Sequence, residues 1–166
     1  MPKTMWTAKR RAVLTKRLEP TAYPTGERWD TDLSPVQVRH LSAQERHRRS
    51  LTALIRKVAI LQGVSGSLTK LLDEPFIPDE RKALREWRDP SRGLWSWSDV
   101  KLDNPNNQKN QTIIDAFYTA LMDIDKLKKG KQSSLRREIT EKNAIIERLE
   151  LRNAELLEVI RKLRGE

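Results

Sequence analysis

The residues of this chain that could take part in binding chemistry are mostly cations, and they begin close to its first residue. Lysine and arginine recur there with no acid before Glu19. Guanidinium and ammonium groups in such a run neutralise phosphates, so the segment is predicted to contact a nucleic-acid backbone. Its candidate phosphate contacts are Lys9, Arg10, Arg11, Lys16 and Arg17. The alternative is a disordered tail that only keeps the protein in solution.

Residues that support catalysis or bind metal ions are scarce. The chain has no cysteine, which excludes a disulfide framework and a thiolate metal site. Its histidines, His40 and His47, stand among cations without a carboxylate cluster, so no metal site is expected. The sequence shows no Gly-rich phosphate loop, no His-x-x-x-His pair and no Gly-x-Ser-x-Gly elbow. We therefore expect a non-enzymatic protein with neither a metal nor a cofactor.

The net charge of +10 is distributed unevenly over the 166 residues. Residues 1–60 hold 13 Lys/Arg against 5 Asp/Glu, whereas residues 61–130 hold 11 of each. This local excess favours a polyanion partner, most simply duplex DNA, over a surface that serves solubility alone. No apolar stretch could span a membrane, and the basic start lacks the apolar centre of a secretory signal. We expect a cytoplasmic, nucleoid-associated protein with no membrane partner; a mitochondrial presequence is the alternative.

The order of elements predicts three parts. Residues 1–35 form a basic arm and linker, in which Thr4–Leu18 is a short helix and the proline-containing stretch Glu19–Pro35 is irregular. Residues 36–129 form a helical domain, and residues 131–166 form a coiled-coil oligomerisation segment. The predicted fold class is therefore all-α, a small helical domain with a C-terminal parallel coiled coil.

The main helix of the domain is predicted from its cap and its apolar stripe. Ser42 and Glu45 have the spacing of a capping box, and the helix should run to about Gln62, with Gly63 just past its end. The apolar stripe consists of Leu51, Leu54, Ile55, Val58 and Leu61. The cations around it are Arg46, Arg48, Arg49, Arg56 and Lys57, of which the first three are candidate nucleic-acid contacts. Further helices are predicted at Leu68–Asp73, Pro78–Arg88 and Gln108–Lys129, the last ended by Gly130.

Tryptophan residues cluster in the second half of the predicted domain. Trp87, Trp95 and Trp97 are predicted to close the small core, because a buried Trp removes a large apolar area from water. Their alternative role is to stack on bases. Trp29, in the predicted linker, is a candidate anchor that docks the arm on the body or on a partner.

From Leu135 onward the chain keeps a seven-residue register. Isoleucine at the a positions and leucine at the d positions favour two parallel strands, and Asn153 at an a position fixes register and dimeric state. Lys142 at a d position weakens the first heptads. The predicted oligomerisation residues are Leu135, Ile139, Ile146, Leu149, Asn153, Leu156, Ile160 and Leu163. The alternatives are packing on the chain's own domain, a larger bundle or a partner helix.

The segment Val58–Asp73, which reads VAILQGVSGSLTKLLD, resembles the helix-turn-helix units of bacterial DNA-binding proteins. In those units a glycine makes the turn and the next helix enters the major groove. The resemblance implies that Gly63 is the turn glycine and Val64 its apolar anchor. It also implies that Leu68, Leu71 and Leu72 face the core, and that DNA is faced by Ser65, Ser67, Thr69 and Lys70. The alternative is a helical hairpin with a glycine turn.

The layout of basic arm, helical domain and coiled coil resembles small DNA-binding accessory proteins of bacterial and phage mobile elements. The resemblance is one of layout alone. It implies a homodimer that holds duplex DNA and recruits a larger recombinase, transposase or packaging protein, with affinity raised by linking two weak sites. The competing functions are a protein–protein adaptor that uses the coiled coil and the Trp loop, and an RNA-binding protein.

Overall fold

The computed structural model describes residues 17–165, and the regular structure of that part is helical, which confirms the all-α class. We label its α-helices in chain order. They are α1 (Pro35–Arg39), α2 (Ala43–Val64), α3 (Leu68–Asp73), α4 (Arg81–Glu86) and α5 (Gln111–Arg164). Short 3-10 helices lie at Arg28–Asp30 and Pro90–Arg92. Most of the predicted helix Thr4–Leu18, with Lys9, Arg10, Arg11 and Lys16, lies outside the described residues.

The chain divides into two compact units within α5, between Asp125 and Lys126. We call residues 17–125 the head and residues 126–165 the tail. The prediction that Gly130 ends a helix at Lys129 is wrong, because α5 continues through it for 54 residues in all. A single glycine inside a helix costs only about 1 kcal/mol relative to alanine. The helical hydrogen bonds before and after Gly130 offset this cost.

Two capping boxes fix the start of the main helix and of the short helix before it. The Ser42 hydroxyl accepts from the Glu45 N–H at 3.2 Å, and the Glu45 carboxylate accepts from the Ser42 N–H at 2.8 Å. These bonds confirm the predicted start of α2 and lower the pKa of Glu45. Ser34 and Gln37 make the same reciprocal pair at α1, with Pro35 at the first helical position.

The apolar core of the head is built around α2. Leu54, Val58 and Leu61 of the predicted stripe are fully enclosed, whereas its other members, Leu51 and Ile55, are half-buried. Ala53, which is not part of the predicted stripe, is enclosed as well. The first third of α5 contributes Ile114, Phe117, Ala120 and Ile124 to the head core. Trp87, Trp95 and Trp97 are also buried, which confirms that they close the core.

A charged cluster centred on Asp30 is buried in the same unit. Arg56 donates to Asp30 Oδ1 at 2.7 Å and to Oδ2 at 2.8 Å, which makes a bidentate ion pair. Trp95 Nε1–H and the Thr25 backbone N–H donate to the same carboxylate. Burial by itself raises the pKa of Asp30, but these hydrogen bonds, led by those of Arg56, outweigh it and hold the pKa below its ordinary value.

The predicted linker Glu19–Pro35 is therefore part of the folded head, which corrects the sequence interpretation. Arg56 also donates to the carbonyl oxygens of Thr21 and Ala22, so this side chain fastens the stretch at several points. Trp29 is 8% exposed and anchors the stretch on the body of the head. The prolines do prevent long helices here, but the pairing of Asp30 with Arg56 leaves no local sequence signal.

Lys57 is enclosed as completely as the aliphatic residues of α2. Its Nζ donates to the carbonyl oxygens of Leu84 and Trp95, both at 2.8 Å, and lies 4.1 Å from the centre of the Trp97 ring. Burial lowers the pKa of Lys57 to about 6, although the Asp103 carboxylate opposes the shift. The Arg85 carbonyl oxygen is a third acceptor, at 3.4 Å, so each N–H group of a protonated Lys57 also has an acceptor.

Gly93 allows the chain to turn back over the ion pair. Its φ is +65°, in the left-handed region, and a Cβ atom at this position would collide with the Tyr23 ring and the Arg56 guanidinium. Its carbonyl oxygen accepts from Arg56 at 3.1 Å. The loop after α4 is therefore placed by the same arginine that holds Asp30.

The tail consists of the second part of α5 alone. Every side chain from residue 132 to residue 165 is exposed, although many of them are leucine or isoleucine. Among the described residues, no helix combines the length and the apolar character needed to cross a membrane.

Candidate nucleic-acid interface and oligomerisation surface

The predicted cations at the start of α2 separate into two exposed residues and one buried residue. Arg46 and Arg48 are exposed and remain candidate phosphate contacts. Arg49 is 5% exposed, so its assignment as a nucleic-acid contact is wrong. Its guanidinium donates to the carbonyl oxygens of Trp29 and Thr31 and stacks 4.0 Å from the centre of the Trp95 ring. Burial lowers the pKa of Arg49, and the charge of Asp30 opposes the shift.

A cavity of about 710 Å³ opens beside the first turns of α2. Arg46 lines it together with Arg39 and Arg88, and buried Trp95 and Trp97 form part of its wall. Glu86 and Asp99 also line it, so the cavity combines both signs of charge. Arg88 is paired with Asp32 at 2.7 Å in an exposed ion pair. The cavity suits an occupant with both apolar and charged groups better than a bare phosphate.

The end of the basic arm lies beside the α2–α3 turn. The Leu18 N–H donates to Gln62 Oε1 at 2.9 Å, and the Arg17 guanidinium lies 3.8 Å from the place that a Cβ atom of Gly63 would take. Arg17, Thr69 and Lys70 are exposed. The structure thus brings one predicted arm residue close to the turn that the helix-turn-helix interpretation uses.

The details of that turn differ from the predicted ones. Gly63 lies inside the last turn of α2 with ordinary backbone angles, so it is not a turn glycine. Ser65 caps the helix end and donates to the Gln62 carbonyl oxygen, while Ser67 accepts from the Lys70 N–H as the N-cap of α3. Both hydroxyls are engaged locally. Five further residues of the helix-turn-helix interpretation lie on α3.

Three leucines of α3 are predicted to face the core, and the first of them, Leu68, is half-buried. Leu71 is buried as predicted, but Leu72 is 62% exposed, so its assignment to the core is wrong. A helix of six residues makes fewer than two turns, and its apolar face is too narrow to bury adjacent leucines.

The head as a whole carries no surplus charge. Residues 17–125 contain 16 Lys/Arg and 16 Asp/Glu, so the surplus of +10 lies outside them. Ion pairs account for several head cations, among them Arg85 with Asp103 and Arg92 with Glu74. The Glu74 hydrogen bonds raise the pKa of Arg92. The cationic character that favours a polyanion partner therefore belongs to the two ends of the chain.

The predicted oligomerisation residues form an exposed apolar seam along the tail. Ile139 is 58% exposed, Leu149 57% and Ile160 44%, and the other apolar members are exposed to a similar or greater extent. The complete set is Leu135, Ile139, Ile146, Leu149, Asn153, Leu156, Ile160 and Leu163, each in helical conformation. Lys142, which interrupts the seam, pairs with Glu138 on its own helix at 2.7 Å.

Sequence reasoning missed two groups of functional candidates. Arg39 and Arg88 line the cavity beside α2, but single arginines outside a cluster give no signal. The cations that follow Asp125 lie next to the helix end that Gly130 predicts, and the helix does not end there. Within residues 17–165, no three His, Asp or Glu side chains are placed to hold a metal ion. Comparison of the chain with protein-family models, curated proteins and solved structures finds no match.

Proposed function

We propose that this protein is a non-enzymatic, dimeric DNA-binding accessory protein, of the kind that mobile genetic elements use. The observation that carries the proposal is the exposed seam of the tail. Burying a leucine or isoleucine side chain contributes about 1.5–3 kcal/mol, and the seam repeats this over four heptads. A second copy supplies an identical face, which makes a parallel pair the simplest partner.

The polyanion part of the proposal is supported by where the charge lies. The basic start of the chain, up to Arg17, holds six Lys/Arg and no acid. On the head, Arg46, Arg48 and Lys70 are exposed. Dimerisation duplicates these groups and joins them, so that two weak binding surfaces act together through effective concentration. The larger recombinase, transposase or packaging protein that such a dimer recruits is part of the same proposal.

Binding of the full chain to labelled duplex DNA of random sequence tests the proposal, with anisotropy measured over a range of salt concentrations. We expect binding at low salt that weakens linearly in log–log form as salt rises. The triple variant Arg46→Glu, Arg48→Glu, Lys70→Glu should weaken it more than the control Lys82→Glu, Lys101→Glu, Lys109→Glu. All six residues are exposed, and both variants change the net charge equally.

The results separate the proposed function from the assigned head surface. A wild-type chain that does not bind duplex DNA even at low salt would refute the DNA-binding function. Equal weakening by the two triple variants would refute the assignment of Arg46, Arg48 and Lys70 while leaving DNA binding in place.

A protein–protein adaptor is the second candidate, and a separate apolar surface favours it. Phe76 is 42% exposed and packs against Trp87, with 5.7 Å between ring centres. The two rings line a shallow cavity of about 690 Å³ together with Pro75 and Ala83. If the chain dimerises but fails to bind duplex DNA at low salt, the adaptor function is the better account.

A further inference from the structure

The first part of the tail is the most cationic stretch that the structure describes. Residues 126–137 hold six Lys/Arg and no Asp/Glu, and we call them the basic segment. Its cations are Lys126, Lys128, Lys129, Lys131, Arg136 and Arg137. From Glu138 onward acidic and basic residues are mixed along the helix.

A helix dipole does not explain these cations. Lysines near the C-terminal end of a helix interact favourably with its partial negative charge, but the effect is confined to the last turn. Because α5 ends only at Arg164, the basic segment lies in the interior of the helix. The cations there have no helix end to compensate.

The basic segment also weakens the helix that contains it. Like charges three or four positions apart repel, as Lys128 and Lys131 do, by a few tenths of a kcal/mol per pair. Gly130, Ser133 and Ser134 are poor helix formers, and the glycine alone costs about 1 kcal/mol. A bound polyanion would remove the repulsion, so the helix here should become more stable on binding.

The register of the seam stops at the basic segment. Counting back in sevens from Leu135 and Ile139 places Lys128 at d and Gln132 at a. Neither contributes apolar burial across a dimer, so two paired helices are held together from Leu135 onward and not before it. The part of each basic segment that precedes Leu135 can therefore diverge from the same part of the other copy.

We propose that the basic segments of a dimer fork from the coiled coil and contact the phosphates of one DNA duplex. This inference rests on the dimer of the proposed function and places the main DNA contact on the tail. Paired helices that fork from a zipper of Ile and Leu can cross the major groove. Arg136 and Arg137 are exposed on adjacent positions just where the fork begins.

The geometry of the basic segment favours duplex DNA over two other polyanionic surfaces. The major groove of B-DNA admits an α-helix, whereas the deep, narrow major groove of A-form RNA does not. A helix that lies on an anionic membrane needs a continuous apolar face. The basic segment has only Leu127 and Leu135 as large apolar residues.

A matched pair of charge variants tests the inference. The test variant is Lys128→Gln, Lys131→Gln, Arg136→Gln, Arg137→Gln, and glutamine keeps a similar helix propensity. The control is Arg148→Gln, Arg161→Gln, Lys162→Gln, Arg164→Gln, which removes the same charge from the distal tail. We expect the test variant to lower affinity for random duplex DNA by roughly 30-fold or more. It should also flatten the salt slope by about 0.9 for each phosphate that is no longer neutralised.

Hydrogen exchange and sedimentation complete the test. Amides of residues 126–137 should gain protection when wild type binds DNA, and all variants should remain dimers. DNA binding that is intact in the test variant, or equally weakened in the control, overturns the inference but not the proposed function. Loss of the dimer in the test variant overturns the inference as well, because the basic segment would then be part of the dimer interface and the paired region would begin before Leu135. Absence of wild-type binding refutes both, and stronger competition by double-stranded RNA than by duplex DNA overturns the choice of ligand.

Discussion

The head and the tail differ in which side chains they bury. In the head, even Asp30 and Lys57 have no exposed surface, because hydrogen bonds satisfy them inside the unit. In the tail, apolar side chains such as Ile146 and Leu156 are more than half exposed. Removing apolar surface from water contributes about 25 cal/mol per Å², so the tail leaves much stabilisation unrealised as a single chain. The head is complete in one copy, whereas we propose that the tail pairs with a second helix.

The two regions also differ in how they use charge. The head balances 16 cations with 16 acids and places several of them in ion pairs. The tail begins with six cations and no acid. Charges paired within the head contribute to folding, whereas unbalanced charge contributes to interaction with a polyanion. Variants in the two regions should therefore have separable effects on folding, association and DNA binding.

The largest expected effect is on association, from the double variant Leu149→Lys, Leu156→Lys. Two copies lose four buried leucines, so the dimerisation free energy should fall by about 6 kcal/mol or more. Sedimentation equilibrium should then show a monomer at micromolar concentration. Thermal unfolding followed by Trp fluorescence should be unchanged, because all five tryptophans precede the tail.

A control for this double variant places lysines on other faces of the same helix. Leu151→Lys and Ala154→Lys add the same charge at outer heptad positions and should leave the dimer intact. A dimer that survives in the first variant, or dissociates in the control, would show that the seam is assigned to the wrong face.

The second prediction concerns the buried ion pair of the head. Asp30→Asn leaves the Arg56 charge enclosed without a counter-ion, so the free energy of unfolding should fall by about 3–5 kcal/mol. Asp32→Asn, two positions along, removes the exposed partner of Arg88 and should cost less than about 1 kcal/mol. Urea unfolding monitored by Trp fluorescence measures both. Similar losses in the two variants would contradict the difference in burial.

Local patterns account for what the sequence predicts correctly. The Ser42–Glu45 cap, the stripe of α2 and the helical heptads of the tail each depend on residues within a turn or two, so spacing alone reveals them. The sequence predicts that Arg49, Arg56 and Lys57 lie around the stripe and outside the core, because long charged side chains are seldom buried. Their burial depends on carbonyl and carboxylate groups brought from elsewhere in the chain by folding.

The wrong prediction of a helix end at Gly130 has a different cause. Gly130 after a lysine-rich turn is the pattern of a typical helix end, and the sequence therefore predicts one there. The helix instead runs on, which turns apparent dipole compensation into an interior cationic run. The rule that a glycine after a lysine-rich turn ends a helix therefore gives no indication that the basic segment is a candidate surface for DNA.

The third prediction is that Lys57 makes the stability of the head depend on pH. Its pKa of about 6 in the folded head lies well below that of an exposed lysine, so between these values the unfolded chain holds a proton that the folded chain has released. Stability should therefore rise with pH above about 6, by up to about 1.4 kcal/mol per pH unit relative to Lys57→Met. Below pH 6 the two profiles should run parallel. Denaturant unfolding from pH 5 to pH 9 measures the difference, and parallel profiles above pH 7 would contradict the lowered pKa.

The smallest expected effect is at Asn153, whose amide should lower the stability of the proposed dimer while fixing its register. An amide at an a position is buried in a dimer, and it is satisfied only when the two copies are in register. Asn153→Ile should raise the stability of the assembled tail by about 1 kcal/mol, because the desolvation cost of the amide disappears. It should also broaden the sedimentation profile beyond the dimer, since a set of a positions made only of isoleucine no longer excludes higher oligomers. Ala144→Ile, at an outer f position, is the control and should alter neither property. A homogeneous dimer in Asn153→Ile would mean that the remaining heptads already specify two strands.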